Sequence, residues 1–237
     1  MEIKEYKLKI KEIIDETAKV KIFRCGIPNG SEINFFPGQF FMVSIEGDEE
    51  NLKRAYSIAS SPTEKNYLDI GLDKVGRFST KLFDTKPGHV LIFKGPYGKF
   101  YFTDEMKNDL ILIAGGVGIT PLMSIIRYCK AKKLGNKIKF IYSVRTPADV
   151  IYKDELERIK KESHKFDYLV TVTRPEPGQN WSGKTGRIDE SLLEEHIRDI
   201  KGSLYFLCGP NEFVKSIIAM LEKLGVAKEQ IKTDVWG

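Results

Sequence analysis

The hydrophobic period of the chain changes once, near residue 104, and this change limits the fold more than any other feature of the sequence. Before it, apolar and polar residues alternate, as in Lys7-Leu8-Lys9-Ile10, Lys19-Val20-Lys21-Ile22-Phe23 and Tyr67-Leu68-Asp69-Ile70-Gly71-Leu72-Asp73. A period of two turns every second side chain to one face, so these segments read as half-buried antiparallel strands. Gly and Pro interrupt them at Gly26-Ile27-Pro28, Pro37-Gly38, Pro87-Gly88 and Gly95-Pro96. Short strands broken this often suit a small barrel or sandwich, with one helix over residues 78–84.

Beyond residue 108 the pattern becomes strand then helix: 110–114 then 121–133, 138–143 then 150–162, a strand over 168–173, and 204–208 then 211–224. Apolar strands alternating with amphipathic helices predict a parallel sheet covered on both faces, which binds ligands beyond the carboxyl ends of its strands. The predicted organisation is two domains, 1–104 and 105–237. A chain of 237 residues, 41% of them apolar, can fill both cores.

Charge and sulfur narrow the chemistry. The 38 Lys and Arg against 33 Asp and Glu leave a net charge of +5, too mild for a nucleic-acid binder yet compatible with a modestly acidic partner. No apolar run approaches the roughly 20 residues of a membrane span, and the first eleven residues mix charged and apolar side chains. We therefore expect a cytoplasmic chain without a signal peptide or membrane span. Cys25, Cys129 and Cys208 form neither a CxxC pair nor an even set, and His89, His164 and His196 are equally dispersed. Neither an iron–sulfur cluster nor a zinc site is expected, so redox chemistry would belong to an organic cofactor.

The most informative local pattern is Gly115-Gly116-Val117-Gly118-Ile119-Thr120-Pro121, directly after the apolar strand Leu110-Ile111-Leu112-Ile113-Ala114. Missing Cβ atoms admit a pyrophosphate close to the backbone, and free amides at a helix start face the anion. Thr120 is expected to cap that helix and Pro121 to take its first position. The spacing departs from GxGxxG, and taken alone the run reads as either a phosphate cradle or a tight strand-to-helix turn. Arg145, just past the second parallel strand where NAD sites often carry a carboxylate, has two readings: a partner for a 2′-phosphate or adenine, or a surface ion pair. Arg174, Lys184 and Arg187, in a Gly-rich stretch, have two readings as well: additions to the same anion site or, each alone, solvated surface cations.

In the first half, Arg54-Ala55-Tyr56-Ser57-Ile58-Ala59-Ser60 sets a cation, a phenol and hydroxyls on a strand-like run. Alternation puts Arg54, Tyr56 and Ile58 on one face, which suits a phosphate-bearing aromatic ring system or, more plainly, an edge strand with a surface Arg and Tyr.

Seven motifs occur in an order that resembles the ferredoxin-NADP reductase family, and they span nearly the whole chain. They are Pro37-Gly38-Gln39-Phe40, Arg54-Ala55-Tyr56-Ser57, Gly76-Arg77-Phe78-Ser79-Thr80, Gly95-Pro96-Tyr97-Gly98, the Gly115 to Pro121 turn, Cys208-Gly209-Pro210 and Asp234-Val235-Trp236. The resemblance implies an N-terminal antiparallel β-barrel that binds FAD, then a C-terminal α/β Rossmann-like parallel sheet that binds NADPH or NADH. It implies that Arg54 pairs with the FAD pyrophosphate, Tyr56 lies against the flavin, and Ser57 hydrogen-bonds near flavin N5. Gly76, Ser79 and Thr80 would add amides and hydroxyls to the pyrophosphate, with Ala55 and Phe78 completing that site. Gly115, Gly116, Gly118, Thr120 and Pro121 would hold the NAD(P)H pyrophosphate. Cys208, Gly209 and Pro210 would place the nicotinamide, while Asp234 and Trp236 would stand near the isoalloxazine ring.

The activity so implied is hydride transfer from NAD(P)H to flavin N5, then single-electron transfer to a separate acceptor, a ferredoxin or flavodoxin. A reductase component of an oxygenase, or a free-flavin, quinone or cytochrome reductase, is the alternative on the same fold. Outside that class stand a flavin- or nucleotide-binding sensor without turnover and a non-redox binding module.

Overall fold

A computed structural model describes residues 1–175 and 181–236. The chain divides into two compact units, one of Met1–Thr103 with Thr120–Lys133, the other of Asp104–Ile119 with Leu134–Gly237.

The first unit carries β1 (Lys4–Asp15), β2 (Val20–Gly26), β3 (Phe40–Ile45), β4 (Arg54–Ser57), β5 (Tyr67–Asp73), α1 (Arg77–Phe83) and β6 (Val90–Tyr97). The strands form one antiparallel sheet in the order β4-β3-β6-β1-β2-β5. An Ile58–Ile70 bridge brings its two edge segments together, giving a nearly closed six-stranded barrel. Alternation delivers Leu8, Ile10, Phe23, Phe41, Ile70 and Phe93 to a common core, and α1 adds Phe78 and Leu82 to it.

One expected break is overturned: Gly95-Pro96 lies within β6 instead of ending it. A Cβ on Gly95 would stand 2.7 Å from Cδ1 of Phe41, so this glycine admits a core ring and makes no turn.

The second unit begins with β7 (Leu110–Gly115), which leads into α2 (Ile119–Ala131). Then come β8 (Ile138–Val144), α3 (Lys153–Glu162), β9 (Phe166–Val172), β10 (Lys184–Thr185), α4 (Glu190–His196), β11 (Leu204–Pro210), α5 (Asn211–Lys223) and β12 (Ile231–Trp236). All pairings in this sheet are parallel, in the order β10-β9-β8-β7-β11-β12. The chain moves outward from β7 through β10, then returns to β11 on the other side of β7. The order of strands thus reverses between β7 and β11, and the Gly115 to Gly118 turn and Cys208-Gly209-Pro210 both lie at that point. From Thr120 onward α2 belongs to the barrel unit.

Helix boundaries move for local reasons. Gly116–Gly118 forms a 3-10 turn and α2 starts at Ile119, so Thr120 and Pro121 lie inside its first turn and Thr120 is not its cap. Pro121 is tolerated there because the first four helix amides lack an intrahelical acceptor. The helix expected from residue 150 begins at Lys153. Ahead of it, Asp149 accepts the Thr146 backbone and hydroxyl donors in a separate 3-10 turn, and Tyr152 takes a left-handed φ of 56°. Residues 176–180, within the stretch holding Arg174, Lys184 and Arg187, lie outside the described residues, as does Gly237.

Candidate active site

In the barrel unit, antiparallel register gathers three motifs around one residue. Phe40 of β3 pairs with Ser57 of β4 on one side and with Tyr97 of β6 on the other, and the Phe40 and Tyr97 rings stack with centroids 5.7 Å apart. Gln39 ties the group together: its Oε1 accepts the Phe36 amide at 2.8 Å, its Nε2 donates to Gly98 O at 3.2 Å, and its carbonyl accepts from Ile58 N. Gly38, at φ +103, lies so close to Phe100 that a Cβ would meet its carbonyl oxygen at 2.8 Å.

Arg54 and Ala55 are exposed, Tyr56 and Ser57 half-buried. The Tyr56 ring packs on the barrel core and faces Phe78 at 5.9 Å and 31°, and burial raises its phenol pKa, so the hydroxyl stays protonated. Arg54 Nη1 donates to Lys53 O at 2.8 Å.

The Gly76 motif is more committed internally than its sequence suggests. Ser79 Oγ accepts from Val75 N at 2.8 Å and donates to Gly76 O at 3.1 Å, while the Thr80 amide is spent on Gly76 O. The Ser79 hydroxyl and the Thr80 amide therefore shape the loop. Gly76 itself takes φ +154 with open space where a Cβ would point, a backbone state that L side chains avoid. Two cations on α1 are matched by a preceding acidic segment that sequence reasoning passed over: Arg77 reaches Glu50 at 2.6 Å, and Lys81 pairs with Glu50 and Asp48. The opposite charge of the blocks 46–50 (acidic) and 74–81 (basic) is the signal that would have found them.

In the α/β unit, the glycines meet β11. Gly116 is left-handed at φ +56 and open to solvent on its Cβ side, leaving room for a ligand against the backbone. Gly118 has the opposite environment: a Cβ there would lie 2.3 Å from Cys208 O and 2.8 Å from the Trp236 ring. The turn is therefore open at Gly116 and in close contact at Gly118. Two further residues support it. Tyr142, fully buried in β8, donates its hydroxyl to Gly116 O at 2.9 Å. Phe213, in the first turn of α5, lies beside Gly115 and Gly209, where added Cβ atoms would meet its ring at 3.1 and 2.7 Å. Neither stood out in the sequence, since an apolar or aromatic residue in a buried strand or helix reads as ordinary core.

Cys208 pairs in register with Ala114 of β7 and Asp234 of β12. Its thiol donates to Asp234 Oδ2 at 3.7 Å, and full burial, reinforced by that carboxylate, holds its pKa well above the usual range. Such a thiol stays protonated and is a poor nucleophile. Asp234 is half-buried and Trp236 partly exposed, while Ser57 and Asp234 stand in different units.

Arg145 and Arg174 are exposed and adjacent, with Arg174 N donating to Arg145 O at 2.8 Å. Arg187 is exposed. Lys184 is paired with Glu195 at 2.8 Å. Among the described residues no group of three or more His, Cys, Asp or Glu is placed to hold a metal, and no helix is long and apolar enough to cross a membrane.

With this geometry in hand, comparison with known proteins is direct. The oxidoreductase FAD-binding domain family matches residues 7–102 and the oxidoreductase NAD-binding domain family residues 112–218. The chain is 33% identical over 205 residues to a subunit of the Na(+)-translocating NADH-quinone reductase of Marinomonas sp., covering 80% of this chain and 50% of that one. It is 32% identical over 219 residues to the glycine betaine monooxygenase reductase subunit of Chromohalobacter salexigens, covering 90% and 59%. It thus spans about half the length of the curated relatives it matches. Among solved structures, the ferredoxin reductase in carbazole 1,9a-dioxygenase aligns over all of this chain and 70% of its own, with 25% identity and a TM-score of 0.87. A ferredoxin NADP+ reductase from Neisseria gonorrhoeae with bound FAD and NADP shares the fold over 98% of both chains, at 22% identity and a TM-score of 0.82.

Proposed function

Because the chain belongs to the ferredoxin-NADP reductase family and carries its FAD-binding and NAD-binding domains in that order, we propose that it takes hydride from NADH or NADPH onto FAD and passes electrons singly to a separate ferredoxin or flavodoxin. The observation that carries this reading is the open glycine turn at the strand-order reversal, closed on one side by Cys208 and Trp236. FAD, when bound, accepts hydride at N5 and releases its two electrons one at a time.

The residues divide the work. Arg54 pairs with the FAD pyrophosphate, Ala55 keeps the strand narrow beside it, Tyr56 backed by Phe78 supports the ring, and Ser57 hydrogen-bonds near N5. Gly76 keeps its open side for phosphate, Ser79 shapes that loop, and Thr80 offers its hydroxyl. Gly115, Gly116 and Gly118, with Thr120 and Pro121 in the first turn of α2, hold the dinucleotide pyrophosphate, and Arg145 takes the 2′-phosphate or adenine. Cys208, Gly209 and Pro210 would place the nicotinamide, Asp234 holds the Cys208 thiol, and Trp236 would stand near the isoalloxazine ring. No strong acid or base is needed, since positioning and exclusion of water carry the transfer. In this reading the FAD-binding domain spans 1–104 and the NAD(P)-binding domain 105–237, a division supported by the matched ranges.

A net charge of +5 supports an acidic carrier, and cysteines held as thiols, with no disulfide between them, support a cytoplasmic site of action. A second reading, the reductase component of an oxygenase, is favoured by the glycine betaine monooxygenase and carbazole dioxygenase relatives. Anaerobic turnover with NADH or NADPH separates the acceptors. We expect ferredoxin or flavodoxin to be reduced faster than free flavin, quinone or cytochrome, and that rate to fall with added salt. A quinone or free flavin that outpaces both carriers, with no salt dependence, would overturn the assignment of the acceptor.

A further inference from the structure

The helix α2 does two things at once. At its start it continues the Gly116–Gly118 turn, and along its side, within the barrel unit, it holds the backbone that leaves β4. Ser124, fully buried, donates its hydroxyl to Ser60 O at 2.7 Å, and Arg127 Nη1 donates to Ala59 O at 2.7 Å. These are consecutive carbonyls, two and three residues beyond Ser57. The same short segment is held from the other side: Ala59 N donates to Asp69 O at 2.8 Å, and Asp69 N donates to Ser60 Oγ at 3.1 Å. Asp69 is itself locked by both Arg24 Nε and Nη2 at 3.0 Å.

Packing alone does not require these polar contacts. Leu122, Met123, Ile125 and Ile126 already bury the apolar side of α2. Hydrogen bonds to two successive carbonyls fix direction as well as distance, because each tolerates little angular error. A guanidinium donor strengthens one of them.

We propose that Arg127 and Ser124 are positioning residues for flavin reduction: they fix the backbone after Ser57 to the helix that continues the nucleotide turn, and so set the placement of Tyr56 and Ser57. The inference rests on the functional reading above.

The test uses the purified, FAD-loaded protein and the variants Ser124→Ala, Arg127→Met and Arg127→Lys. Three quantities are read: FAD content, flavin midpoint potential, and single-turnover reduction rate at saturating NADH or NADPH. We expect FAD content and potential to match the wild type while the rate falls about tenfold in Arg127→Met, as misplacement of reacting groups predicts. A smaller fall is expected in Ser124→Ala and partial recovery in Arg127→Lys. Ser124→Ala, a small change at a buried site, decides the matter if Arg127→Met does not fold. Unchanged rates per bound FAD, or losses that only track lost FAD or a shifted potential, overturn the positioning role. A wild type that neither nucleotide reduces overturns the functional reading itself, and the two failures are thereby distinct.

Discussion

Gly118 shows how one residue joins local geometry to chemistry. Its missing Cβ lets the turn pass within contact of the Cys208 carbonyl and under the Trp236 ring. Gly118→Ala would force a methyl against the Cys208 backbone and the Trp236 ring, and overpacking of this kind destabilises by about 1–3 kcal/mol. We expect a lower melting temperature together with weaker NAD(P)H binding, whereas Gly116→Ala, strained by its positive φ but facing open space, should lose binding more than it loses packing. Equal melting temperatures for Gly118→Ala and wild type would contradict the close contact. Cys208 provides a second check at this scale: buried and held protonated beside Asp234, it should resist iodoacetamide at mildly alkaline pH in the folded protein and react after denaturation. Rapid labelling of Cys208 in the native state, read by peptide mass spectrometry, would contradict the account. Arg54 to Ser57 was legible in the sequence as a strand, and it forms β4. Tyr142 and Phe213 were not, because what they contribute is contact with the backbone of Gly116 and of Gly115 and Gly209, and their surroundings are those of any core aromatic.

Among the elements, long apolar runs were the most readable. The strand before the glycine turn and the strand 204–208 were expected within a residue or two of β7 and β11, since central parallel strands are apolar on both faces. The edges were harder. β12 carries Lys232, Thr233 and Asp234 and stands at the rim of the sheet, where neither an apolar run nor strict alternation marks it. Only its place in a family motif drew notice to Asp234 and Trp236. Gly95-Pro96 failed for the opposite reason, because a turn signature can also mark a close approach inside a strand. A pH dependence belongs to this scale as well. Asp167 on β9 is drawn upward by burial, yet Lys139 of β8 at 2.5 Å and Lys160 of α3 at 2.7 Å outweigh that and hold its carboxyl below the ordinary range. A carboxylate depressed in the folded state stabilises above its unfolded pKa and loses that contribution as pH falls through the folded one. The gap in melting temperature between wild type and Asp167→Asn should therefore be present at pH 7 and close below about pH 4. A gap that stays constant across that range would rule out the ion pairs as its source.

For the whole chain, the decisive information was order. Each motif alone admits an ordinary structural explanation, but barrel motifs followed by a glycine turn, a Cys-Gly-Pro strand end and an acidic-aromatic strand match the order of an FAD-binding and then an NAD-binding domain. The fold reproduces that order as an antiparallel barrel and a parallel sheet whose strand order reverses at the glycine turn. What the sequence could not convey is which polar groups are already spent within the protein, as at Ser79 on Val75 and Gly76 and at Lys184 on Glu195, because the loop and helix geometry that brings such partners together leaves no signature in residue type. The central claim is that NAD(P)H reduces a flavin held by this chain, and anaerobic stopped-flow absorbance near 450 nm with NADH and NADPH in parallel tests it most directly. The account predicts rapid bleaching of a bound flavin by at least one nucleotide, slowed in Ser57→Ala with FAD retained. A protein that binds no flavin, or whose flavin neither nucleotide bleaches, would contradict it.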